Sequence, residues 1–352
     1  MIACPCALVI STPVAVVAAL AAAARNGVLV KGGRFIELPA RLRSMAFDKT
    51  GTLTAGAPEV IAVAPLREHE EASLLASAAA LEAASNHPLA AAILAHAKAR
   101  GIAPAPASEV QALIGKGVTG RVDGRPFWLG SHRYMEARGV EDAATHERAE
   151  ALEREGASVV AIGTEDHVCG LIAVADRPRA EAAPTLARLH ALGIRPLVML
   201  TGDNRTTAEV IARAVGVDEV RAELLPEEKA RVVAELAGEG VAMVGDGIND
   251  APAMAHADVG IAMAAMGSDA AIETADIALM TDDLAKLPWL IGHSRRALAI
   301  IRQNVSLSLA VKAVFVVLTF AGYATLWGAI AADVGASLVV VANALRLARV
   351  RA

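Results

Sequence analysis

Two long stretches almost free of charge, Ile2–Ala24 and Val305–Val341, bracket a middle in which short apolar runs alternate with amphipathic ones. Three of the short runs share one design. Ser44–Asp48, Leu197–Thr201 and Val241–Gly245 are each apolar along their length and each meet a polar or acidic residue at the end: Asp48 itself, Asp203 after Gly202, and Asp246. Apolar runs of this length read as strands buried on both faces, and the 3.6-period patterns of Arg205–Val215 and Pro226–Ala237 read as helices between them. Strands alternating with helices predict an α/β fold with a parallel sheet covered on both sides. Ligands of such sheets bind beyond the carboxyl ends of the strands. Asp48, Asp203 and Asp246 are therefore expected to converge although they lie far apart in the chain.

Between the first two of these strands the pattern changes. Helical periodicity over Glu70–Ala84 and Pro88–Arg100 is followed by strand patterns at Gly117–Asp123, Phe127–Gly130, Ser158–Gly163 and Val168–Val174. Pro58 to about Val174 is thus expected to be an inserted α+β domain. The predicted division is 1–24 (the C-terminal part of a metal-binding membrane helix), 25–57 (linker and first part of the sheet domain), 58–174 (insert), 175–288 (second part of the sheet domain) and 289–352 (a transmembrane hairpin and tail).

The terminal apolar runs are too long for ordinary core strands. Val305–Phe320 and Leu326–Val341 each approach the ~20 residues of a spanning helix once flanks are included. Tyr323 and Trp327 at the turn between them suit a membrane interface, and Arg346, Arg349 and Arg351 place the last end on the cytoplasmic side. The first run carries Pro5 and Pro13, is stopped by Arg25-Asn26-Gly27, and exits through Lys31-Gly32-Gly33-Arg34. It reads as the second half of a kinked membrane helix whose first half is missing, not as a signal peptide, which needs a basic start and a cleavage site. Lipid is therefore an expected partner. The bland reading of the C-terminal runs is a buried helical hairpin.

Composition then excludes some functions. Hydrophobic residues make up 55% of the 352 positions but aromatics only 3%, so alanine, valine and leucine form the core. A net charge of −5, with no basic cluster before the last residues, argues against nucleic-acid binding. Three cysteines are too few for a disulfide framework. Cys169, within the apolar run Val168–Val174, reads as a buried core thiol without chemistry.

The strongest chemical signal is Asp48-Lys49-Thr50-Gly51-Thr52. A carboxylate at a strand end, followed by a loop of small residues, can attack phosphorus while backbone N–H groups hold the phosphate oxygens. This pentapeptide is similar to the phosphorylation motif of P-type ATPases, within the haloacid-dehalogenase-like superfamily. Thr201-Gly202-Asp203-Asn204 resembles the family's second motif, Gly245-Asp246-Gly247-Ile248-Asn249-Asp250-Ala251-Pro252 its hinge motif, and Lys229 its phosphate-binding lysine. The resemblance implies that Asp48 attacks the γ-phosphate of ATP. It implies Mg²⁺ held by Asp48, the Thr50 carbonyl and Asp246, with Asp250 supporting them. It further implies Lys229, the Thr201 hydroxyl and the Gly202 N–H on the transferring phosphoryl group. Asp203 is either a nucleotide-side ligand or the N-cap of the helix that follows. Related phosphatases carry an aspartate two positions after the nucleophile; here that position is Thr50, so the phospho-aspartate is expected to persist, as a pump requires.

Glu82 and Ser85-Asn86-His87-Pro88-Leu89 resemble the nucleotide-binding domain of heavy-metal P-type ATPases, which implies His87 beside the adenine and Glu82 near it. Gly115-Lys116-Gly117 resembles the family's glycine pair, where missing side chains let backbone approach the nucleotide. Cys4-Pro5-Cys6 in a membrane segment resembles the same subgroup: proline interrupts the helix, and two thiolates select soft or borderline ions. Lys312 and Asp333 are ionisable groups inside apolar helices, where such groups are costly and usually functional. They are able to pair across the hairpin, and they resemble the zinc/cadmium/lead class. Copper(I) pumps instead show tyrosine-asparagine, methionine and paired-serine patterns in these helices, which the sequence lacks. The family's actuator triplet Thr-Gly-Glu is also absent. The expectation is therefore the C-terminal catalytic part of a multi-pass pump for Zn²⁺, Cd²⁺ or Pb²⁺ in a bacterial plasma membrane, with cytoplasmic catalytic domains. Such a part is normally continuous with earlier helices and an actuator domain. The competing readings are a copper(I) pump, a membrane-anchored phosphatase and a non-catalytic metal-binding fragment.

Overall fold

In the computed structural model, residues 6–85, 87–113, 116–246, 250–263, 273–323 and 325–349 are described. The chain enters through α1 (Cys6–Arg25), with Pro13 inside it, then β1 (Val28–Val30) and the single turn α2 (Arg34–Glu37). β2 (Ser44–Asp48) follows and is buried at every position. An antiparallel unit comes next. It comprises β3 (Glu59–Pro65), α3 (Glu71–Glu82), α4 (Pro88–Ala99), β4 (Ala107–Leu113), β5 (Gly117–Val122), β6 (Arg125–Ser131), α5 (His132–Arg138), α6 (Ala143–Arg154), β7 (Ser158–Gly163) and β8 (Val168–Ala175). The chain then returns to the first sheet through α7 (Ala182–Ala191), β9 (Leu197–Leu200), α8 (Arg205–Val215), β10 (Glu219–Arg221), α9 (Pro226–Leu236), β11 (Val241–Gly245), α10 (Ala251–His256), β12 (Val259–Met263) and β13 (Ile277–Leu279). It closes with α11 (Lys286–Phe320) and α12 (Leu326–Ala344).

The first sheet has the order β1-β13-β12-β11-β2-β9-β10 and is parallel except for the edge strand β1. The strand carrying Asp48 is therefore interior, with β11 on one side and β9 on the other. Register fixes the ends: Phe47 lies opposite Val244, and Asp48 opposite Leu200. Each strand's first polar residue thus emerges at one level. Phe47, fully buried, anchors β2; burial of a phenylalanine contributes about 1.5–3 kcal/mol. A polar cap starts α8, where the Asn204 side chain accepts from Thr207 N at 2.8 Å.

The second sheet, β3-β8-β7-β6-β5-β4, is antiparallel throughout. Leu75, Ala78 and Leu81 of α3 and Ile93 of α4 join one apolar cluster with Val118, Leu129, Ile162 and Ile172 of its strands.

Several elements were not separated in the sequence. Among the edge strands, β1 and β10 are only three residues long, β3 is half-buried and β4 is almost wholly exposed, so their alternation is faint. α11 is longer than the apolar stretch from Val305: it starts at Lys286 and runs 35 residues. Its first half packs into the core of the parallel sheet through Leu287, Leu290, Ile291, Ala297 and Ile300, alongside Ala15, Ala19 and Ala23 of α1. Its second half exposes Leu309, Val314, Val317 and Phe320, which does not fit the buried-hairpin reading. α11 and α12 are long and apolar enough to cross a membrane. The described apolar part of α1, Val9–Arg25, is shorter. Small residues let α1 lie close to α11 and α12. Asn304 and Asn343 stitch the hairpin: Asn304 Nδ2 donates to Val340 O at 3.1 Å, and Asn343 Nδ2 to Asn304 Oδ1 at 2.8 Å.

Candidate active site

β2 ends in a carboxylate because the chain needs a polar residue where the sheet opens. Asp48 is only 5% exposed there. Lys229, from the first turns of α9, reaches across and donates to both Asp48 Oδ1 and Asp250 Oδ1, the latter at 2.9 Å. Asp246 follows β11, and the ligand oxygens of Asp48, Asp246 and Asp250 all lie within 4.8 Å of one another. Burial, then the charge of Asp250, pushes the Asp48 carboxyl up to about 7, although Lys229 pulls it the other way. Burial and Asp250 likewise raise Asp246 to about 6. For Lys229 burial acts downward, but Asp48 and Asp250 outweigh it and the net shift is upward. Three crowded carboxylates with one ammonium leave surplus negative charge, the condition a bound divalent cation relieves.

The loop after Asp48 is shaped for close approach. Gly51 has φ +72°, and a Cβ on it would stand 1.7 Å from Asp246 Oδ2. Only glycine lets the loop pass beneath that carboxylate. Thr50 is exposed with extended backbone, and Thr52 is fully buried with its hydroxyl unpartnered among the described residues. Lys49 pairs with Asp203, the residue after Gly202. Asp203 therefore faces the loop, and the N-cap of α8 is Asn204 rather than Asp203, which corrects that alternative. One residue further along gives the helical φ/ψ start with the side chain turned back on Thr207 N. The Thr201 hydroxyl accepts from Asp203 N at 3.1 Å, and Gly202 sits close to Leu224 O, leaving little room for a side chain.

Two residues near the site were not singled out in the sequence. The Arg179 guanidinium donates to the carbonyls of Gly51 (2.9 Å), Thr52 (3.0 Å), Thr54 (3.1 Å) and Asp282 (3.3 Å). Asp176 accepts from the Thr54 hydroxyl and from Gly56 N at 3.1 Å. Together they clamp the loop after Asp48 where the chain leaves β8. The available signal was the charged Asp176-Arg177-Pro178-Arg179 closing an apolar strand.

A family model described as haloacid dehalogenase-like hydrolase matches residues 42–258, the span that holds Asp48, Thr201, Lys229, Asp246 and Asp250. The chain belongs to that family. Within this haloacid dehalogenase-like group, it is 46% identical over its full length to a zinc/cadmium/lead-transporting P-type ATPase of Escherichia coli (strain K12), covering 47% of that protein. It is 44% identical, again over its full length, to a cadmium-transporting ATPase of Staphylococcus aureus, covering 49% of it. Among solved structures, a zinc-transporting PIB-type ATPase in the E2.Pi state superposes with TM-score 0.82 and 45% identity, over 99% of this chain and 57% of that one. The chain spans about half the length of the curated relatives it matches.

The haloacid dehalogenase-like sheet carries two additions. In the antiparallel unit, Glu82 ends α3 and is buried, and its Oε2 has no partner among the described residues. His87 caps α4: its Nδ1 accepts from Leu89 N at 3.2 Å and the ring is exposed. Glu82 and His87 thus share one α3–α4 turn. Gly117 opens β5 with φ +147°, and a Cβ there would stand 2.0 Å from Leu129 O, so the neighbouring strand already requires glycine. Gly115 lies outside the described residues.

In the apolar helices, Lys312 on α11 and Asp333 on α12 are both half-buried. Cys4 lies outside the described residues; Cys6 opens α1, and its side chain is likewise outside the description.

Proposed function

We propose that this chain is the phosphorylating and C-terminal membrane part of an ATP-driven pump for a divalent heavy-metal ion. The observation that carries the proposal is the buried Asp48 carboxylate, ion-paired to Lys229 and ringed by Asp246 and Asp250 at the carboxyl end of a parallel sheet.

In this reading Asp48 Oδ attacks the γ-phosphorus of ATP, the bond to the β-bridging oxygen breaks, and ADP leaves. Lys229 turns from the carboxylates to the transferring phosphoryl group, where its charge is worth most in a dry site. The Thr201 hydroxyl and the backbone N–H of Gly202 lie beside the same strand ends to receive phosphoryl oxygens. Asp48, Asp246 and the Thr50 carbonyl form an all-oxygen donor set suited to Mg²⁺, with Asp250 held behind by Lys229. Bound there, Mg²⁺ would supply charge neutralisation between phosphate and carboxylate. Thr50 offers no general base, so water is not activated from that position and the acyl phosphate persists. Glu82 Oε2, a buried acceptor without a partner among the described residues, suits the amino group of adenine, with the His87 ring beside it. Asp203, held by Lys49, lies on the nucleotide side of the loop. Gly115 and Gly117 complete the nucleotide-side set.

Lipid around α11 and α12 is supported by the exposed apolar half of α11, and a cytoplasmic sheet domain by the basic residues Arg25, Lys31 and Arg34 after α1 and Arg346 and Arg349 after α12. Zn²⁺, Cd²⁺ or Pb²⁺ is the cargo that thiolates at Cys4 and Cys6 with a carboxylate at Asp333 would select, with Lys312 as countercharge once the ion leaves. The names of the relatives, cadmium-transporting and zinc/cadmium/lead-transporting, support this class over copper(I). The test is incubation of the chain with γ-labelled ATP and Mg²⁺, followed by an acid quench. Label that resists acid, yields to hydroxylamine and responds to Zn²⁺ or Cd²⁺ only while Asp333 is intact supports the proposal. Label that ignores Asp333→Ala removes that residue from the ion site.

A further inference from the structure

We propose that His69, His167 and Cys169 form a second, separate binding site for a borderline-soft divalent ion, Zn²⁺ or Cd²⁺, on the antiparallel domain. The three come from two places in the sequence. His69 precedes α3, while His167 and Cys169 flank the start of β8. The fold joins them because the turn carrying His69 hydrogen-bonds β8: Leu66 N donates to Cys169 O at 2.9 Å.

One ligand atom from each side chain lies within 4.8 Å of the other two. His69 Nε2 and His167 Nε2 are 2.9 Å apart, and Cys169 Sγ is 3.8 Å from His167 Nε2. A tetrahedral ion at about 2.0–2.1 Å from nitrogen and about 2.3 Å from sulfur places two nitrogens about 3.3 Å apart and nitrogen and sulfur about 3.6 Å apart. The spacing found here needs only small side-chain shifts to meet it. The other ring nitrogen of His167 is also provided for. Its Nδ1 lies 3.2 Å from Thr164 Oγ1, and Thr164 N donates to His167 O at 2.9 Å. A hydrogen bond donated by Nδ1–H to that hydroxyl leaves the Nε2 lone pair facing His69 and Cys169, the outer support that metal-ligating histidines use.

Access and chemistry agree. Cys169 is buried at the floor, while His69 and His167 are half-exposed above it, so an ion enters past the rings and a fourth position stays open to water. Two imidazoles and one thiolate suit Zn²⁺ and Cd²⁺ over Mg²⁺ or Ca²⁺. Binding displaces the Cys169 thiol proton to solvent. The sequence alone reads Cys169 as inert because its two partners are not both adjacent to it; His167, two residues away on the same side of β8, was the only local sign. The site does not depend on Asp48 or on transport.

The test uses the full chain with Cys4→Ser and Cys6→Ser, which leaves Cys169 as the sole thiol. Titration with Cd²⁺ in the presence of excess Mg²⁺ is expected to give an ultraviolet thiolate-to-metal charge-transfer band of the intensity of one Cd²⁺–thiolate bond per chain. Cys169→Ser removes the band. His167→Gln and His69→Gln, at half-exposed positions that do not challenge folding, each weaken Cd²⁺ binding by roughly tenfold or more. Absence of the band in the two-serine chain overturns the proposal. So does a band whose affinity neither histidine variant changes, which would make the pair a structural His–His contact beside an adventitious thiol.

Discussion

Gly51 and Asp246 are locked together by geometry: the carboxylate Oδ2 occupies the space, 1.7 Å away, that a side chain on Gly51 would need. The positive φ adds about 1–2 kcal/mol against any other residue. Gly51→Ala is expected to displace Asp246 and to abolish phosphoryl transfer while the antiparallel domain still binds nucleotide. Nucleotide binding and phosphoenzyme formation measured side by side check this; intact phosphorylation in the variant would contradict it.

The carboxylate crowding predicts an unusual dependence of stability on pH. Unfolded aspartates are ionised above about pH 4. In the fold Asp48 and Asp246 hold protons up to about 7 and 6. The folded chain therefore binds more protons than the unfolded chain between about pH 4 and 7, and stability contributed there is lost as pH rises through that window. Without Mg²⁺, thermal unfolding in detergent should shift to lower temperature between pH 5 and pH 8. Asp48→Asn should flatten the profile and be the more stable chain at pH 8, by on the order of 1–4 kcal/mol. Added Mg²⁺ should restore the wild type at pH 8 and affect the variant less. A profile that rises with pH would count against this arrangement.

How far the sequence carried this account depends on the length over which each signal runs. β2, β9 and β11 were legible because each is a continuous apolar run that meets a polar or acidic residue at its end, and α8 because its 3.6-residue period runs over eleven positions. β7 and α4 were legible for the same reason of period and length. The three-residue strands β1, β10 and β13 were not, because three positions cannot establish a period. The sequence left Asp203 open between a nucleotide-side ligand and the N-cap of α8 because Asp and Asn cap equally well; in the fold Asn204 is the cap and Asp203 pairs with Lys49, more than 150 residues upstream. Arg179 was invisible as a site residue because it acts through backbone carbonyls, which leave no mark in side-chain pattern.

Arg179 gives a prediction of its own. Its hydrogen bonds to Gly51, Thr52 and Thr54 fix the loop that carries the Thr50 carbonyl, and charge-assisted bonds of this kind contribute about 1.5–3 kcal/mol each. Arg179→Lys keeps the charge but not the fork, so it is not a neutral change. The variant is expected to bind nucleotide normally and to require more Mg²⁺ for phosphorylation, a shift that Arg179→Ala enlarges. A purely structural role would lower stability without moving the Mg²⁺ dependence.

Thr50 predicts the lifetime of the intermediate. Its backbone is extended and its side chain exposed, so aspartate fits without strain. Thr50→Asp places a general base two residues from the nucleophile. General base catalysis contributes roughly 100- to 10,000-fold. The variant should lose its phosphoenzyme much faster after a chase with unlabelled ATP and release inorganic phosphate. An unchanged decay rate would show that persistence has another origin.

The most direct test is to locate the phosphoryl group. The chain would be phosphorylated with MgATP, quenched in acid and reduced with borohydride, which converts an acyl-phosphate aspartate to homoserine, and then digested for mass spectrometry. The account predicts homoserine at position 48 and none at Asp203, Asp246 or Asp250. Reduction at one of those aspartates instead, or stable phosphate on a histidine or hydroxyl with position 48 unchanged, would contradict it.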